Sequence, residues 1–196
     1  MTDTADFLVE IGTEELPPKA LVDLERAFAS QLQDGLKGAS LSFSTLRSFA
    51  TPRRLAVLVG GLQLEQPVRT IEKRGPPVSV AFNADGSPTR AAVAFAEGCG
   101  VAVDAVGRME TPKGAWLFHS ATAPGRPATE LLTGIVTAAL AALPIPRRMR
   151  WGSGEAEFVR PAHWIVMLLG NVVLDAPVLG LVPGRTTRGH RFHAPA

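Results

Sequence analysis

The chain is poor in the residues and motifs from which many catalytic and metal sites are built. Its 196 residues include one cysteine, Cys99, and no tyrosine. A single cysteine excludes an internal disulfide and a multi-cysteine zinc site, and it favours a reducing, cytosolic setting. The sequence has neither a G-x-x-x-x-G-K-[ST] loop nor a G-x-G-x-x-G fingerprint. A phosphate-cradling nucleotide site is therefore not expected on this segment.

Histidine pairs, long apolar runs and a secretory signal are also absent from the sequence. The four histidines include no H-x-x-x-H pair, and His190 and His193 in "HRFH" have no cysteine or carboxylate beside them, so no metal site is predicted. The longest apolar run, "WIVMLLG", is far too short to span a bilayer. The N-terminus lacks the basic region with which a secretory signal begins. We therefore expect a cytoplasmic protein with no membrane partner.

The charge is close to balanced overall but uneven along the chain. The formal net charge is +2. Residues 1–143 contain 13 Lys and Arg against 15 Asp and Glu, whereas residues 144–196 contain 7 against 3, and all seven cations are arginine. Guanidinium groups suit phosphate, so the last quarter is where a polyanion is expected to bind. The alternative is that this pattern reflects overall composition, because Arg outnumbers Lys 16 to 4 in the whole chain.

The opening stretch "EIGTEELPPKAL", residues 10–21, places three carboxylates before two prolines. Glu14 and Glu15 fit a strand-to-helix junction, because acids are stabilised near a helix N-terminus and prolines are tolerated in a first turn. A catalytic role, including one for Glu10, needs a second group such as a facing histidine or a metal ligand, and none lies nearby in the sequence. The structural interpretation is therefore favoured, and no catalytic residue is predicted.

Hydrophobic periodicity predicts an α+β fold that opens with a β-α-β-β unit over residues 1–66. "DFLVEIG" is typical of a buried strand, and a helix with one apolar face follows it. A hairpin turning at Ala50–Arg53 supplies the next two strands, so the unit corresponds to half of a ferredoxin-like sandwich. The apolar face of the helix consists of Leu21, Leu24, Phe28, Leu32 and Leu36.

The remainder is expected to complete this domain and then to begin another. Residues 67–144 predict a proline-rich connector, a hairpin around "TPKG" and two helices, over "TRAAVAFAEGCG" and "PATELLTGIVTAALAAL". Helical periodicity ends at Pro144, which predicts a boundary there and a β-rich module over residues 145–196. Because no closing element follows "RGHRF", we expect this module to be truncated.

A series of motifs runs in a fixed order along nearly the whole chain. They are "FLVEIGTEELPPKAL", "FATPRRLAV", "EKRGPP", "AFAEGCGV", "KGAWLF", "LPIPRRMRWG", "FVRPAHWIVMLLG" and "TRGHRF". In this order they resemble the N-terminal portion of the β subunit of bacterial heterotetrameric (α2β2) glycyl-tRNA synthetase. The last motifs also resemble the start of a module in phenylalanyl-tRNA synthetase β subunits that serves editing. Editing is not expected here, because a pocket for glycine can exclude larger amino acids sterically.

The resemblance implies a part in the ATP-dependent charging of tRNA(Gly) with glycine. In that family the α subunit carries the active site, so ATP and Mg are expected there and no cofactor is expected on this segment. The implied partners are the α subunit, tRNA(Gly) and later domains of the β subunit, and DNA is not among them. Family β subunits are several times longer, so this segment alone should be inactive.

The resemblance directs attention to the basic residues as a tRNA-binding surface and to Glu14 and Glu15 as an interface. Phosphate contacts position an RNA, and arginine-rich loops beside small β modules suit that role. For each cation the alternative is an ion pair or simple solvation, and for the segment the alternative function is a protein–protein scaffold with little RNA contact. The candidate cations are Arg53, Arg54, Lys73, Arg74, Arg147, Arg148, Arg150, Arg160, Arg188 and Arg191.

Overall fold

The chain forms two structural units, and the sequence of the second interrupts the sequence of the first. The computed structural model describes residues 3–83, 85–112 and 114–189. Unit 1 comprises the described residues of Met1–Pro67 and Arg126–Ala196, and unit 2 comprises those of Val68–Gly125. Unit 1 is thus discontinuous in sequence.

Strands and helices both contribute, which confirms the predicted α+β class. The strands are β1 (Thr4–Thr13), β2 (Thr45–Thr51), β3 (Arg54–Gln63), β4 (Arg69–Pro77), β5 (Gly107–Thr111), β6 (Gly114–Ala123), β7 (Met149–Arg150), β8 (Glu157–Phe158), β9 (Ala162–Leu169) and β10 (Val172–Val173). The helices are α1 (Leu21–Gly38), α2 (Val78–Ala81), α3 (Arg90–Cys99) and α4 (Ala128–Ala141), with a 3₁₀ turn at Val103–Ala105. None of the helices in the described residues has the length and apolar content needed to cross a membrane.

The main sheet of unit 1 has the strand order β10-β9-β1-β3-β2, and neighbouring strands are antiparallel. The element sequence β1-α1-β2-β3-α4-β9 with this order is the ferredoxin-like β-α-β-β-α-β arrangement. Helices α1 and α4 pack against each other, and their buried residues join those of the sheet in one core. The predicted β-α-β-β half is confirmed, and α4 with β9 completes it.

Strand β1 lies at the centre of the sheet and contributes one face to the core. Val9 pairs with Val57 of β3 on one side and with Met167 of β9 on the other. Because side chains alternate along a strand, the core residues of β1 occupy every second position. The helix opposite contributes residues at steps of three and four, as its periodicity predicts. The buried residues are Phe7, Val9 and Ile11 from β1, and Leu24, Phe28, Leu32 and Leu36 from α1.

Helix α1 begins later than the two prolines, which corrects the expectation that they open it. The helix starts at Leu21, and Pro17 and Pro18 precede it in a turn in which Ala20 N donates to Pro17 O at 3.0 Å. A residue that precedes proline is disfavoured in the helical region, so Pro17 cannot easily take a helical conformation beside Pro18. The acids Glu14 and Glu15 are therefore not in the first turn of α1.

Unit 2 is built on a three-stranded antiparallel sheet of order β4-β6-β5. Its small core joins Leu117 of β6 to Ala81 of α2 and Ala92 of α3. The predicted hairpin around "TPKG" is confirmed as β5 and β6, and the first predicted helix is confirmed as α3, which ends at Gly100 in the left-handed conformation (φ 71°). In the preceding loop, two hydrogen bonds from Ser87 hold the pKa of the exposed Asp85 carboxyl below its ordinary value.

The structure corrects the expectation that a proline-rich connector follows residue 66, because this segment contains strand β4. Residues Arg69–Pro77 form a strand that pairs with β6 from Arg69 to Arg74, where every residue has a backbone N–H. The prolines that suggested a loop lie just before the strand, at Pro67, and at its end, at Pro76 and Pro77. The register shifts there, which is where a sheet edge tolerates proline.

The boundary expected near residue 145 does not correspond to the division of the structure. Strand β9 belongs to the same sheet as β1 and pairs with it from Phe7–Leu169 to Thr13–Ala162. Residues after 145 therefore share the core of residues 1–66, because the apolar run of β9 is buried beside β1. The boundary expected at residue 66 lies close to the observed one at Pro67, and the second observed boundary is at Arg126.

Candidate functional site

The carboxylate of Glu10 is buried on the face of the sheet opposite the helices. Glu10 alternates with the core residues of β1, and only 7% of it is exposed. Its Oε1 atom accepts hydrogen bonds from Trp164 Nε1 at 2.8 Å and from Thr187 Oγ1. Its Oε2 atom lies 3.5 Å from the buried Nε of Arg54, which forms an ion pair rather than a hydrogen bond. A buried charge needs such partners, so Glu10 joins β1, β3, β9 and the segment around Thr187.

The indole ring of Trp164 occupies the place that a side chain at Gly12 would need. Gly12 and Trp164 are paired across β1 and β9, and a Cβ atom at residue 12 would lie 2.0–2.2 Å from three ring carbons. The guanidinium carbons of Arg54 and Arg188 lie 5.8 Å and 5.5 Å from the ring centroid, and Arg54 Nη2 donates to the Arg188 carbonyl. Trp164 therefore packs on the face of the sheet opposite the helices and holds residues 187–188 against it.

A histidine that is remote in sequence meets the acidic motif. His163 Nε2 lies 2.8 Å from Glu14 Oε1, across a separation of 149 residues, and Arg53 Nη2 lies 3.2 Å from the same oxygen. The pairing register shifts at this point: Gly12 pairs with Trp164, and Thr13 pairs with Ala162. His163 is therefore an extra residue in β9 with no paired residue in β1, as in a β-bulge, and a bulge redirects a side chain. No histidine lies near the acidic motif in the sequence, but the fold brings His163 to it.

Glu14 and Glu15 line a shallow, open depression of about 410 Å³ at the surface of unit 1. Arg160 closes one side of it by donating from Nε to the Glu15 carbonyl at 3.0 Å. The side chains of Glu14 and His163 are 44% and 38% exposed, so the pair is largely solvated. Within the described residues no group of three or more His, Cys, Asp and Glu is placed to hold a metal ion. The remaining residues that line the depression are Leu16, Pro17 and Pro18.

Several predicted cations are engaged in contacts that maintain the fold. Arg53 Nε donates to the Thr13 carbonyl at 3.2 Å in addition to its pairing with Glu14. Arg148 Nη2 donates to the Ala141 carbonyl at 2.6 Å, in the last turn of α4, where carbonyls have no partner within the helix. Arg54 and Arg160 hold backbone carbonyls in the same way, as described above, and Lys73 Nζ donates to the Gly98 carbonyl at 2.8 Å.

Other predicted cations present their charge to solvent. Arg147 is exposed, and Arg150 Nη1 lies 3.2 Å from the Glu155 carboxylate, whose side chain is 91% exposed. Arg188 is exposed beside Trp164, and Arg74 lies over the ring of Trp116 in unit 2. Arg191 falls outside the described residues, as do His190 and His193.

The sequence did not identify three residues that organise this region: His163, Trp164 and Thr187. Each reaches its partner, Glu10 or Glu14, across roughly 150 residues or more, so local periodicity carries no signal for the contact. The available signal was the co-occurrence of "EIGTEELPPK", "FVRPAHW" and "TRGHRF" as separate motifs. Their polar side chains converge in the structure.

Comparison with known proteins gives concordant matches along the whole chain. The sequence profile of the family described as glycyl-tRNA synthetase beta subunit matches residues 7–196. The chain is 53% identical over 192 residues to the glycine–tRNA ligase beta subunit of Marinobacter nauticus and 56% identical over 191 residues to that of Hahella chejuensis. These matches cover 98% and 97% of this chain but 28% of each relative, so the chain spans little more than a quarter of the length of the curated relatives it matches.

Proposed function

The chain belongs to the glycyl-tRNA synthetase beta subunit family, and from this premise we propose that it is a non-catalytic N-terminal segment that supports tRNA(Gly) recognition and assembly of an α2β2 ligase. The complete enzyme would join glycine to tRNA in a cytoplasmic, ATP-dependent reaction, with ATP and Mg held by the α subunit. The α subunit, tRNA(Gly) and later β domains are the proposed partners.

The observation that carries the RNA-binding part of the proposal is the arginine run after α4. Arg148 fastens the run to the helix end through the Ala141 carbonyl. Its neighbours Arg147 and Arg150 are exposed on either side, in a segment whose backbone is thereby positioned. Exposed guanidinium groups on an anchored loop suit contacts to phosphate oxygens, which fix the register of an RNA.

Reversing the two exposed charges, Arg147→Glu with Arg150→Glu, is expected to raise the KM for tRNA of the complete enzyme about tenfold or more, with kcat unchanged. Two lost phosphate contacts would also make the salt dependence of tRNA binding less steep, by roughly 0.7–0.9 per contact in the log–log slope. Steady-state charging kinetics at several salt concentrations measure both effects. Arg148 is left in place so that α4 keeps its C-terminal contact.

Arg126→Glu is the matched control, because Arg126 is an exposed arginine of unit 1 whose Nε lies 3.2 Å from the Glu130 carboxylate, on the first turn of α4. It is expected to change the KM for tRNA less than twofold. A double variant at 147 and 150 whose KM and salt slope equal those of the unmodified enzyme would show that this run does not contact the tRNA.

The alternative function, a protein–protein scaffold, is favoured by the depression beside Glu14 and Glu15. Its acidic and proline-lined surface is open to solvent and suits a basic side chain of a partner subunit or a later β domain. Under this alternative, Glu15→Lys weakens the association of the α and β subunits, and the arginine variant leaves tRNA kinetics unchanged. RNA contact through several phosphates loses affinity steeply with salt, whereas subunit docking through apolar surface or a single charge pair does not.

A further inference from the structure

One face of the sheet in unit 2 carries aromatic side chains that no helix of that unit covers. Leu117 of β6 is fully buried among residues of α2 and α3, so it defines the face that the helices cover. Trp116 and Phe118 flank it in the strand and therefore project from the opposite face. Both are partly exposed, and neither belongs to the core of unit 2.

Trp116 and Phe118 are two residues apart on β6, the central strand, and lie on the same face of the sheet. Trp116 pairs with Met109 on β5, and Phe118 pairs with Arg74 on β4. Positions two residues apart in a strand are separated by about 7 Å, which is enough for each ring to present its own face. RNA-binding sheets use aromatic residues of this kind as platforms on which successive unstacked bases lie.

Arg74 lies directly over Trp116. Its guanidinium carbon is 3.8 Å from the ring centroid, and the side chain is otherwise exposed. The indole Nε1 atom of Trp116 is buried and has no hydrogen-bond acceptor among the described residues. A buried donor without an acceptor costs free energy, which a ligand that supplies an acceptor would recover. A phosphate that draws Arg74 away from the ring would also free the ring face for a base.

The polar residues of this face match RNA better than they match an apolar protein surface. On the face of Trp116, strand β4 presents Thr70, Glu72 and Arg74, whereas Arg69 and Lys73 alternate onto the face that the helices cover. On the same face as Trp116 the ladder places hydroxyl groups at Thr70, Ser120 and Thr122. Hydroxyl and guanidinium donors beside partly exposed aromatic rings suit the phosphates, 2′-hydroxyls and unstacked bases of a single strand.

We infer that this face of the β4-β6-β5 sheet is a stacking platform for two unpaired nucleotides of RNA. Trp116 and Phe118 each take a base, and Arg74 moves from the indole ring to the intervening phosphate. The identification of that RNA as an unpaired part of tRNA(Gly) rests on the proposed function, whereas the stacking chemistry does not.

The test uses the complete β subunit with its α subunit and two probes, a ten-nucleotide single-stranded oligoadenylate RNA and tRNA(Gly). Trp116→Ala and Phe118→Ala are each expected to weaken oligoadenylate binding about tenfold or more, in line with the loss of one stacked base. Trp116→Phe should retain most of the affinity because it retains a ring. Arg74→Gln should weaken binding and reduce its salt dependence, with no threat to folding because the side chain is exposed.

Val80→Ala is the matched control, since Val80 is an apolar residue of unit 2 that is 57% exposed on α2. It should leave both affinities unchanged. Oligoadenylate affinity that is equal in all variants overturns the platform, and so does a loss of α–β association at unchanged RNA affinity, which would assign the face to a protein partner. Failure of the proposed function is distinguishable: the oligoadenylate effects would persist while tRNA(Gly) binding responded to neither these variants nor the one at Arg147 and Arg150.

Discussion

Gly12→Ala is expected to lower the free energy of unfolding of this chain by about 3 kcal/mol or more. The added methyl group would lie 2.0–2.2 Å from carbons in the middle of the Trp164 ring, which cannot yield as a flexible side-chain end could. Moving the ring also breaks its hydrogen bond to the buried Glu10 carboxylate, so the cost of overpacking adds to that of a lost charge-assisted hydrogen bond. Urea titration followed by circular dichroism measures the change.

Gly38→Ala is the matched control for this substitution. Gly38 is the last residue of α1, its φ is not in the left-handed region, and a Cβ there would meet no atom within 4 Å. Alanine has a higher helix propensity, so the expected change is stabilising and at most about 1 kcal/mol. Equal effects of the two substitutions would mean that Trp164 does not pack on Gly12.

Glu10→Ala is expected to cost about 3–5 kcal/mol, because it removes the acceptor shared by Trp164 and Thr187 and the carboxylate that pairs with the partly buried Arg54. The segment around Thr187 should also detach from the sheet. Its exposed arginines, Arg185 and Arg188, should then be cleaved faster by trypsin.

The stability and the tryptic cleavage rate are measured on the same variant, with Glu15→Ala as the control. The Glu15 side chain is exposed, and its contact with Arg160 is made by the backbone carbonyl, so alanine preserves it. A change within about 0.5 kcal/mol is expected there. Glu10→Gln retains one acceptor and should fall between the two. If the Glu10→Ala variant has the same stability and the same tryptic cleavage rate as the unmodified chain, Glu10 does not hold the segment around Thr187 against the sheet.

The first half of unit 1 could be predicted because its signals are local. Alternation in "DFLVEIG", the three-and-four spacing in α1 and the turn at Pro52 each act over a few residues. The other half could not, because β9 finds its place beside β1 only after 58 residues of unit 2 have been inserted between β3 and α4. The loss of helical periodicity at Pro144 marks the end of α4, which finishes at Ala141, and not the predicted domain boundary.

The site was less predictable than the fold for a physical reason. A sequence reveals how many arginines a segment has, but not which of them find acceptors. Arg147 and Arg148 are neighbours of identical chemistry, yet one is exposed and the other caps α4. Likewise Glu14 and Glu15 lie between β1 and α1, as the sequence predicts, but not in the first turn of the helix. The contacts of Glu10 and Glu14 with residues 163, 164 and 187 depend on long-range pairing.

The arrangement gives the acidic motif a positioning role. Glu10 is buried but faces donors that hold strands and a chain segment together. Glu14 lines an open depression and pairs with the partly exposed His163. Neither carboxylate lies in an enclosed pocket where a desolvated acid or base would act on a substrate. This geometry supports the proposal that the acidic motif performs no chemistry.

The most direct test is the kcat for glycine charging, at saturating tRNA, of the complete two-subunit enzyme carrying Glu14→Gln together with His163→Asn. General acid–base catalysis is typically worth 10²–10⁴-fold in rate. If the pair only positions the chain, kcat stays within about twofold of the unmodified enzyme. A fall of about 100-fold or more, with subunit assembly and tRNA affinity intact, would show instead that Glu14 and His163 move a proton in the reaction.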